Sequence, residues 1–485
     1  MAGSLRQNPM FLKHGLIYLL SKLAPALSSF VVLAAYTRWM STEDYGIFST
    51  TMVVAGSVSM FTFSWLYVGI MRFWENQQID NDSIADLISR SVTVIALLIG
   101  VGAALFAWLS GQLAVAVVFW LLFVSAALFE AVQRIYSITR QVQSYLWLEV
   151  ARTLLTVSLG LLLVGLGYAW QGAAAAVILG MLLVLIFSGA WRYLRFSRQQ
   201  IDLRVLKKLL VYGLPLSLSL ALLEVVNTAD RVMIGWLLGY ASAGEYAVAH
   251  NLPFQILMMI TSSLNLAAYP FVVQALEQEG QQAATQQLRQ YFVWLMMAAV
   301  PALVGLLVVA ELLIPLLIGA DFVAMALSLL PYVGIAIFAN CSYLFYVSLS
   351  FQLAEQTGGA LQVAAVAALL NIGLNLLLIP VWGVWGAVVA SMAAYLFCLG
   401  AGFYLGRRYF RLEVPVPELV KILGAAVIMY LLLQQLPALF LLPVYQLLLK
   451  IMTGVVIYAG LVWLLDVGHL RRELKTWRQR RGSRA

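Results

Sequence analysis

The stretch Leu209–Gly239 reads LLVYGLPLSLSLALLEVVNTADRVMIGWLLG, and it is long and apolar enough to cross a bilayer, which takes about 20 such residues. It nevertheless contains Glu224, Asp230 and Arg231. A charged side chain near the centre of a spanning helix costs about 2.5–3.5 kcal/mol, so these groups are expected to face protein or a water-filled cavity. The stretch therefore predicts a membrane helix with a polar face.

The polar residues of this stretch fall on one stripe. Ser217, Glu224 and Arg231 follow one another at intervals of seven residues, about two helical turns, and Asn227 and Thr228 fill the turn between the last two. Two interpretations are open: the stripe is an internal salt bridge that packs helix on helix, or it lines a transport cavity. The rest of the chain favours the cavity.

The overall composition is that of a polytopic α-helical membrane protein. The chain is 63% hydrophobic and only 10% charged, with a mean hydropathy of +0.92, whereas ordinary soluble domains are about 25% charged. The first apolar segment runs on to Tyr36, too long for a signal peptide, and is interpreted as a retained first helix.

Several other classes of site are not indicated. Cys341 and Cys398 lie in apolar segments, and His14, His250 and His469 are far apart, so neither a disulfide framework nor a metal site is expected. No GxxxxGK[ST] motif is present, so no nucleotide cofactor is predicted. The net charge of +8 is interpreted as a signal of membrane topology rather than of nucleic-acid binding, so no nucleic-acid partner is expected.

Hydropathy predicts about fourteen membrane spans. They are 14–36, 46–70, 91–110, 113–133, 150–169, 172–191, 209–239, 246–273, 291–318, 325–350, 358–380, 384–405, 421–442 and 445–466. With the N-terminus inside, 25 of the 29 Lys and Arg residues fall in inside segments and only Arg38 in an outside loop. This distribution predicts that both termini are cytoplasmic.

The first two spans resemble the seventh and eighth. Gly15–Ser49 and Gly213–His250 each begin with a glycine, carry ionisable residues in mid-span and reach a turn with an acidic residue before a tyrosine. The two copies have the same orientation. They predict an all-α polytopic membrane protein with two six-helix bundles related by a pseudo-two-fold along the membrane normal, and with the site between the bundles.

The predicted boundaries follow from this repeat and from the basic segments. An N-terminal six-helix bundle is expected over 1–192, a basic cytoplasmic linker over 193–208 and a C-terminal six-helix bundle over 209–406. Two additional transmembrane helices (407–467) and a basic cytoplasmic tail (468–485) complete the chain.

The first span has a polar stripe of its own. Tyr18, Lys22, Ser29 and Tyr36 follow at spacings of four and seven. Lys22 could extend to the inner surface, or it could face the stripe Glu224–Arg231 across the cavity. The sequence leaves both positions open.

Four segments resemble a known family. They are Thr228–Gly235 (TADRVMIG), Ala243–Ala249 (AGEYAVA), Asn371–Met392 and Ser41–Gly46 (STEDYG). They are similar to segments of the polysaccharide-repeat flippases (O-antigen and exopolysaccharide flippases) of the multidrug/oligosaccharidyl-lipid/polysaccharide exporter superfamily. In length, span number and repeat, the resemblance covers essentially the whole chain.

The resemblance implies a V-shaped pair of bundles that flips an undecaprenyl-pyrophosphate-linked oligosaccharide across the inner (plasma) membrane by alternating access. No chemical step is implied, so the protein is not expected to be an enzyme. A polysaccharide polymerase machinery is the implied protein partner. Of the candidate residues, Asp230 and Arg231 fall on matched positions; the others rest on the stripes alone.

The chemistry of such a cargo agrees with the polar residues. A pyrophosphate needs cationic groups in a wet cavity, and arginine binds phosphate oxygens with two hydrogen bonds. Sugars need hydrogen-bonding and stacking side chains. The candidate substrate-binding residues are Arg231, Lys22, Asn227 and Tyr36. The candidates for a coupling ion, H⁺ or Na⁺, are Glu224 and Asp230.

Two other functions are weighed against the flippase. A cation-coupled drug or metabolite antiporter of the same fold is the main alternative, but exporters of organic cations should have an acidic cavity, and Lys22 and Arg231 offset the two acids. A membrane enzyme acting on the same lipid would need a sizeable outer loop with polar residues, which the predicted topology does not have.

Overall fold

The computed structural model describes residues 28–74, 81–139, 141–194, 203–437 and 439–469, and this part of the chain is almost entirely helical, without a β-strand. The α-helices are α1 (28–39), α2 (Thr42–Trp74), α3 (Asn81–Ser110), α4 (Leu113–Ile138), α5 (Val142–Gly165), α6 (Ala169–Phe187), α7 (Leu203–Leu237), α8 (Tyr240–Glu279), α9 (Gln281–Leu317), α10 (Ala320–Ser342), α11 (Leu349–Leu353), α12 (Thr357–Trp382), α13 (Val384–Tyr409), α14 (Val416–Gln434) and α15 (Pro443–Leu464). A π-helical turn, Tyr343–Val347, joins α10 to α11.

The predicted spans follow these helices in order. From the second to the last, each falls on one helix, except that the tenth covers α10, the π-helical turn and the start of α11. The first predicted span coincides with α1 only over its described part, because residues 1–27 lie outside the described residues. Twelve helical segments of the described chain are long and apolar enough to cross a membrane. The prediction of an all-helical polytopic membrane protein is confirmed.

Several helices extend beyond the predicted spans. α8 has 40 residues and α9 has 37, so at 1.5 Å per residue they are about 60 and 55 Å long, against about 30 Å of bilayer hydrocarbon. α5 begins at Val142 rather than at residue 150. Hydropathy detects only the apolar part of a helix, and the backbone hydrogen bonding continues through the polar residues that follow.

The chain forms two compact units, which are described separately. The first comprises Met1–Ala247 and Ala364–Ala387, and the second comprises Val248–Val363 and Val388–Ala485. In the second unit α9 packs against α10, α14 and α15. The Phe292 ring stacks on Tyr346 of the π-helical turn with 3.9 Å between ring centroids. The domain boundaries predicted from the repeat stay predictions.

In the first unit, α2 and α7 pack against each other in antiparallel fashion along most of their length. Near one end Gly69 lies on Leu209, and a Cβ atom on Gly213 would lie 2.0 Å from the Trp65 carbonyl oxygen. Halfway along, the Ser57 hydroxyl lies 3.4 Å from that of Thr228. Glycines allow the two backbones to approach this closely.

At the other end of α2, the two copies of the sequence repeat meet. A Cβ on Gly46 would lie 1.8 Å from the carbonyl oxygen of Tyr240, the first residue of α8. Reciprocally, a Cβ on Gly244 would lie 2.1 Å from the carbonyl oxygen of Thr42, the first residue of α2. Each glycine is four residues into its helix, so the contact has local two-fold character, as the repeat leads one to expect.

Candidate functional site

Three polar residues of the α7 stripe lie close together. Glu224, Asn227 and Arg231 lie along one face; the Asn227 side chain is within hydrogen-bonding reach of the Glu224 carboxylate, and the Arg231 charge is close enough to interact with it. Arg231 is buried, with 7% of its surface exposed. The Thr228 hydroxyl donates to the Glu224 carbonyl oxygen at 2.8 Å. The Arg231 guanidinium is thus buried among apolar helices, beside the Glu224 carboxylate.

Asp230 lies on a different side of α7, in a cluster of polar side chains from three helices. Its carboxylate accepts hydrogen bonds from the Tyr246 hydroxyl of α8 at 2.8 Å, and from the Asn371 and Asn375 amides of α12 at 3.1 and 2.7 Å. Asp230 is 2% exposed and both asparagines are fully buried. Such hydrogen bonds stabilise the carboxylate inside the protein.

Asn375 leaves one oxygen of this cluster unsatisfied. Its amide nitrogen donates both to Asp230 and to the Asn371 side-chain oxygen, the latter at 3.1 Å. Its own side-chain oxygen has no hydrogen-bond partner within the described part of the chain. A buried acceptor without a donor costs about 1–3 kcal/mol. The cluster therefore combines a carboxylate with a free amide oxygen, which are both ligand types for a hard monovalent cation.

The remaining predicted site residues are placed elsewhere or lie outside the described residues. Tyr36 is 1% exposed. Its hydroxyl occupies the space next to Gly160 of α5, where a Cβ would lie 2.0 Å from it, and its ring meets Phe48 edge-on at 5.6 Å. The structure thus places Tyr36 in the packing of α1 against α2 and α5. Lys22 lies outside the described residues.

The partners of Asp230 are not apparent from the sequence. Tyr246 stands out there only in the turn of the repeat, and the α12 segment only through its resemblance to the family. A signal was available, since Asn371 and Asn375 are one helical turn apart in an otherwise apolar span. Polar residues on one face of a membrane helix predict a partner on a neighbouring helix.

A second charged cluster lies on α4 and α5. The buried Glu149 carboxylate accepts hydrogen bonds from the Gln133 amide and the Arg152 guanidinium. The Arg152 guanidinium also lies over the Phe129 ring, 5.3 Å from its centroid. One turn from Gln133, Glu130 lies close to Arg134 and Ser59. These contacts join α4 and α5 through charges at the end that the charge distribution places inside.

The chain has sequence similarity to a known protein family and to a named relative. A family model described as polysaccharide biosynthesis protein matches residues 11–276, more than half of the chain. The probable low-salt glycan biosynthesis flippase Agl15 of Haloferax volcanii is 25% identical over 166 residues. This alignment covers 34% of the present chain and 34% of that protein, about a third of the relative's length.

Solved membrane transporters have a similar fold. The lipid II flippase MurJ in an inward closed conformation superposes with a TM-score of 0.73 at 12% identity, over 92% of this chain and 98% of that chain. A multidrug resistance MATE family transporter of the MOP superfamily gives 0.55 at 17% identity in its inward-facing conformation, over 80% and 93% of the two chains. At such identities the similarity shows the fold alone, and the fold agrees with the superfamily expected from the sequence.

Proposed function

Because the chain belongs to the family of polysaccharide biosynthesis proteins, we propose that it is a flippase for undecaprenyl-pyrophosphate-linked oligosaccharide repeat units. It carries them across the inner membrane by alternating access for polysaccharide biosynthesis, with both termini in the cytoplasm. The observation that carries the proposal is the buried Arg231 on α7 of a protein of this family. No bond is made or broken, so the protein acts as a transporter rather than an enzyme.

Arg231 is the proposed contact for the pyrophosphate. A buried guanidinium is retained at a high free-energy cost, and it recognises phosphate oxygens with two parallel hydrogen bonds. Asn227, one turn earlier on the same face, adds an amide that hydrogen-bonds either a phosphate or a sugar hydroxyl. Lys22 and Tyr36 complete the proposed substrate-binding set on the basis of their sequence stripe.

The Asp230 cluster is the proposed binding site for the coupling ion. The carboxylate, the free Asn375 oxygen and the Tyr246 hydroxyl offer oxygen ligands in a fully buried position, which favours Na⁺. Glu224 is the corresponding candidate for H⁺, because a partly buried carboxyl on the polar stripe can gain and lose a proton. Transport that requires Na⁺ assigns coupling to Asp230, and transport that requires only a proton gradient assigns it to Glu224.

A drug or metabolite antiporter is the second candidate, since transporters of that class share the fold. The position of Arg231 argues against an antiporter, because a buried cation next to Glu224 offsets the negative charge that an organic cation would need.

The flippase also needs a polymerase machinery to consume its product, and such a machinery is the proposed partner.

Deletion in the native host tests the function. We expect lipid-linked oligosaccharide to accumulate on the cytoplasmic side, measured by mass spectrometry of extracted lipids, and the wild-type chain to reverse the accumulation. Arg231→Ala should fail to reverse it at normal abundance, Arg231→Lys should do so in part, and Arg38→Ala, an exposed control, should do so fully. Unchanged lipid-linked sugars after deletion, together with increased sensitivity to drugs, would contradict the flippase and support the antiporter.

The role of Arg231 is tested separately from packing. If Arg231 serves only as a structural partner for an acid, its removal leaves a buried carboxylate uncompensated, and removing the acid as well should restore activity. We expect Arg231→Ala/Glu224→Gln and Arg231→Ala/Asp230→Asn to remain inactive per folded molecule. Full activity in either double variant would falsify the pyrophosphate contact.

A further inference from the structure

An apolar groove of about 730 Å³ lies on the first compact unit, among α2, α3, α4 and α7. Its walls come from the halves of these helices that the charge distribution places outside.

Small side chains on facing helices make room for the groove. Gly102 of α3, Ala116 of α4 and Gly235 of α7 all line it. A Cβ added to Gly102 would meet no atom within 4 Å, so this glycine faces open space rather than another helix. The groove is thus a space that the packing of the four helices leaves unfilled.

Membrane hydrocarbon is the medium available to fill this space. The wall helices α2, α3 and α4 all qualify as membrane spans. On the α3 wall, Leu98 is 66% and Phe106 is 45% exposed. No described residue that lines the groove is charged. An apolar wall gives water too few hydrogen-bond partners, so a hydrocarbon chain is the occupant that fits.

One end of the groove is polar. Ser110 ends α3, Gln112 precedes α4, and the Tyr240 hydroxyl donates to the Gln112 side-chain oxygen at 3.4 Å. The occupant is therefore amphipathic, with its chain between the helices and its head group at this end.

Acidic residues at the starts of α2 and α8 favour one class of lipid head group. Glu43 and Asp44 lie in the first turn of α2, whose Gly46 contacts the Tyr240 backbone. Glu245 follows Tyr240 by little more than one turn of α8. These three carboxylates outnumber the Arg38 guanidinium of the same outside segment, so the net local charge is negative and fits an ammonium-bearing phospholipid better than the pyrophosphate of the proposed cargo.

We propose that this groove binds one acyl chain of a phosphatidylethanolamine-type lipid from the leaflet at the Ser110–Gln112 end. The chain contacts α3 and α4 on one side and Val232 and Trp236 of α7 on the other. A bound lipid therefore fixes the outer end of α7, the helix that carries Arg231. This site is additional to the proposed flippase function and does not depend on it.

Photo-crosslinking of the lipid tests the site. The purified full chain is reconstituted with phosphatidylethanolamine that carries a diazirine in its acyl chain, and adducts are mapped by peptide mass spectrometry. We expect adducts at Leu98, Phe106 and Trp236 in at least tenfold excess over Leu97 and Leu105, which are exposed on α3 but do not line the groove. Equal labelling of both α3 faces would show ordinary solvation by lipid and overturn the proposal.

Filling the groove provides the matched control. Gly102→Trp should remove the groove adducts, and the smaller Gly102→Leu should reduce them. Gly460→Trp is the control, because this exposed helical glycine also has open space around it and lies on α15. Groove adducts that persist in Gly102→Trp protein of normal monodispersity would refute the site.

Competition identifies the head group. Unlabelled phosphatidylethanolamine should displace the probe at least tenfold better than phosphatidylglycerol, and Gln112→Ala should weaken this preference. Equal competition by phosphatidylglycerol would contradict the assigned head group. Displacement by undecaprenyl pyrophosphate at lower concentration than by phosphatidylethanolamine would instead assign the groove to the cargo and overturn the proposal.

Discussion

At the scale of single residues, the two neighbours Asp230 and Arg231 have different surroundings. Asp230 accepts hydrogen bonds from Tyr246, Asn371 and Asn375, whereas Arg231 lies on the stripe with Glu224. Adjacent positions on a helix point about 100° apart, which allows one residue to anchor three helices while the next faces another surface. One turn of α7 thus serves both packing and the proposed transport path.

Replacing Asp230 tests the buried cluster. Asp230→Asn removes the charge. If its amide oxygen accepts from Asn371 and Asn375, its amide nitrogen faces the Tyr246 hydroxyl, which then has to accept rather than donate. Hydrogen bonds to charged groups are worth about 1.5–3 kcal/mol each, so we expect a clear fall in the thermal unfolding temperature of the purified protein. Asp321→Asn, at an exposed acid in the first turn of α10, is the control and should change it little.

Moving the carboxylate from position 230 to position 375 completes this test. Asp230→Asn/Asn375→Asp returns one carboxylate to the same buried space and should recover part of the lost stability. A double variant no more stable than the sum of its two single effects would mean that the carboxylate itself is not what holds α7, α8 and α12 together.

At the scale of helices, glycines determine how closely α2 approaches its partners. Gly46 and Gly244 contact the backbone carbonyls of Tyr240 and Thr42, with no side chain between them. A methyl group at either position would overlap an atom that cannot move without its helix. The two contacts form one symmetric pair, because each glycine approaches the first residue of the helix that carries the other glycine.

This leads to a prediction of non-additivity. Gly46→Ala and Gly244→Ala should each separate the starts of α2 and α8 and lower the unfolding temperature, and the double variant should be little worse than the more damaging single variant. A coupling of about 0.5–3 kcal/mol is expected for residues in direct contact. Gly56→Ala, in α2 with open space around its Cβ, is the control and should be neutral or slightly stabilising. Fully additive losses would show that the two contacts are independent.

At the scale of the whole chain, the composition and hydropathy were sufficient to predict the helices, because a membrane span needs a long apolar segment and little else. The charged positions Glu224, Asp230 and Arg231 could also be recognised, since charge is rare in such segments. The pairing of Asp230 with Asn371 and Asn375 could not be predicted, because it brings together residues far apart in the chain. The burial of Tyr36 against Gly160 has the same origin, since the stripe on the first span does not show which helix covers it.

The charge distribution makes a prediction about the whole molecule. A reporter that is active only in the cytoplasm should give signal when fused at Gly482 and none when inserted near Ser41. The physical reason is that 25 of the 29 Lys and Arg residues fall on one side in the predicted topology. Signal at Ser41 with silence at Gly482 would reverse the orientation, including the side assigned to the groove and to the proposed cargo entry.

The π-helical turn Tyr343–Val347 has a consequence for helical register. A π turn holds one residue more than an α turn, so every residue after it is rotated by about 100° relative to an uninterrupted α-helix. The turn is fixed in place by the Tyr346 hydroxyl, which donates to the Glu413 carbonyl oxygen at 2.7 Å. Immediately beyond it, the Ser350 hydroxyl fits against Gly406 of α13. Returning the turn to α geometry would rotate Ser350 off that glycine, so the packing of α11 on α13 depends on a single additional residue.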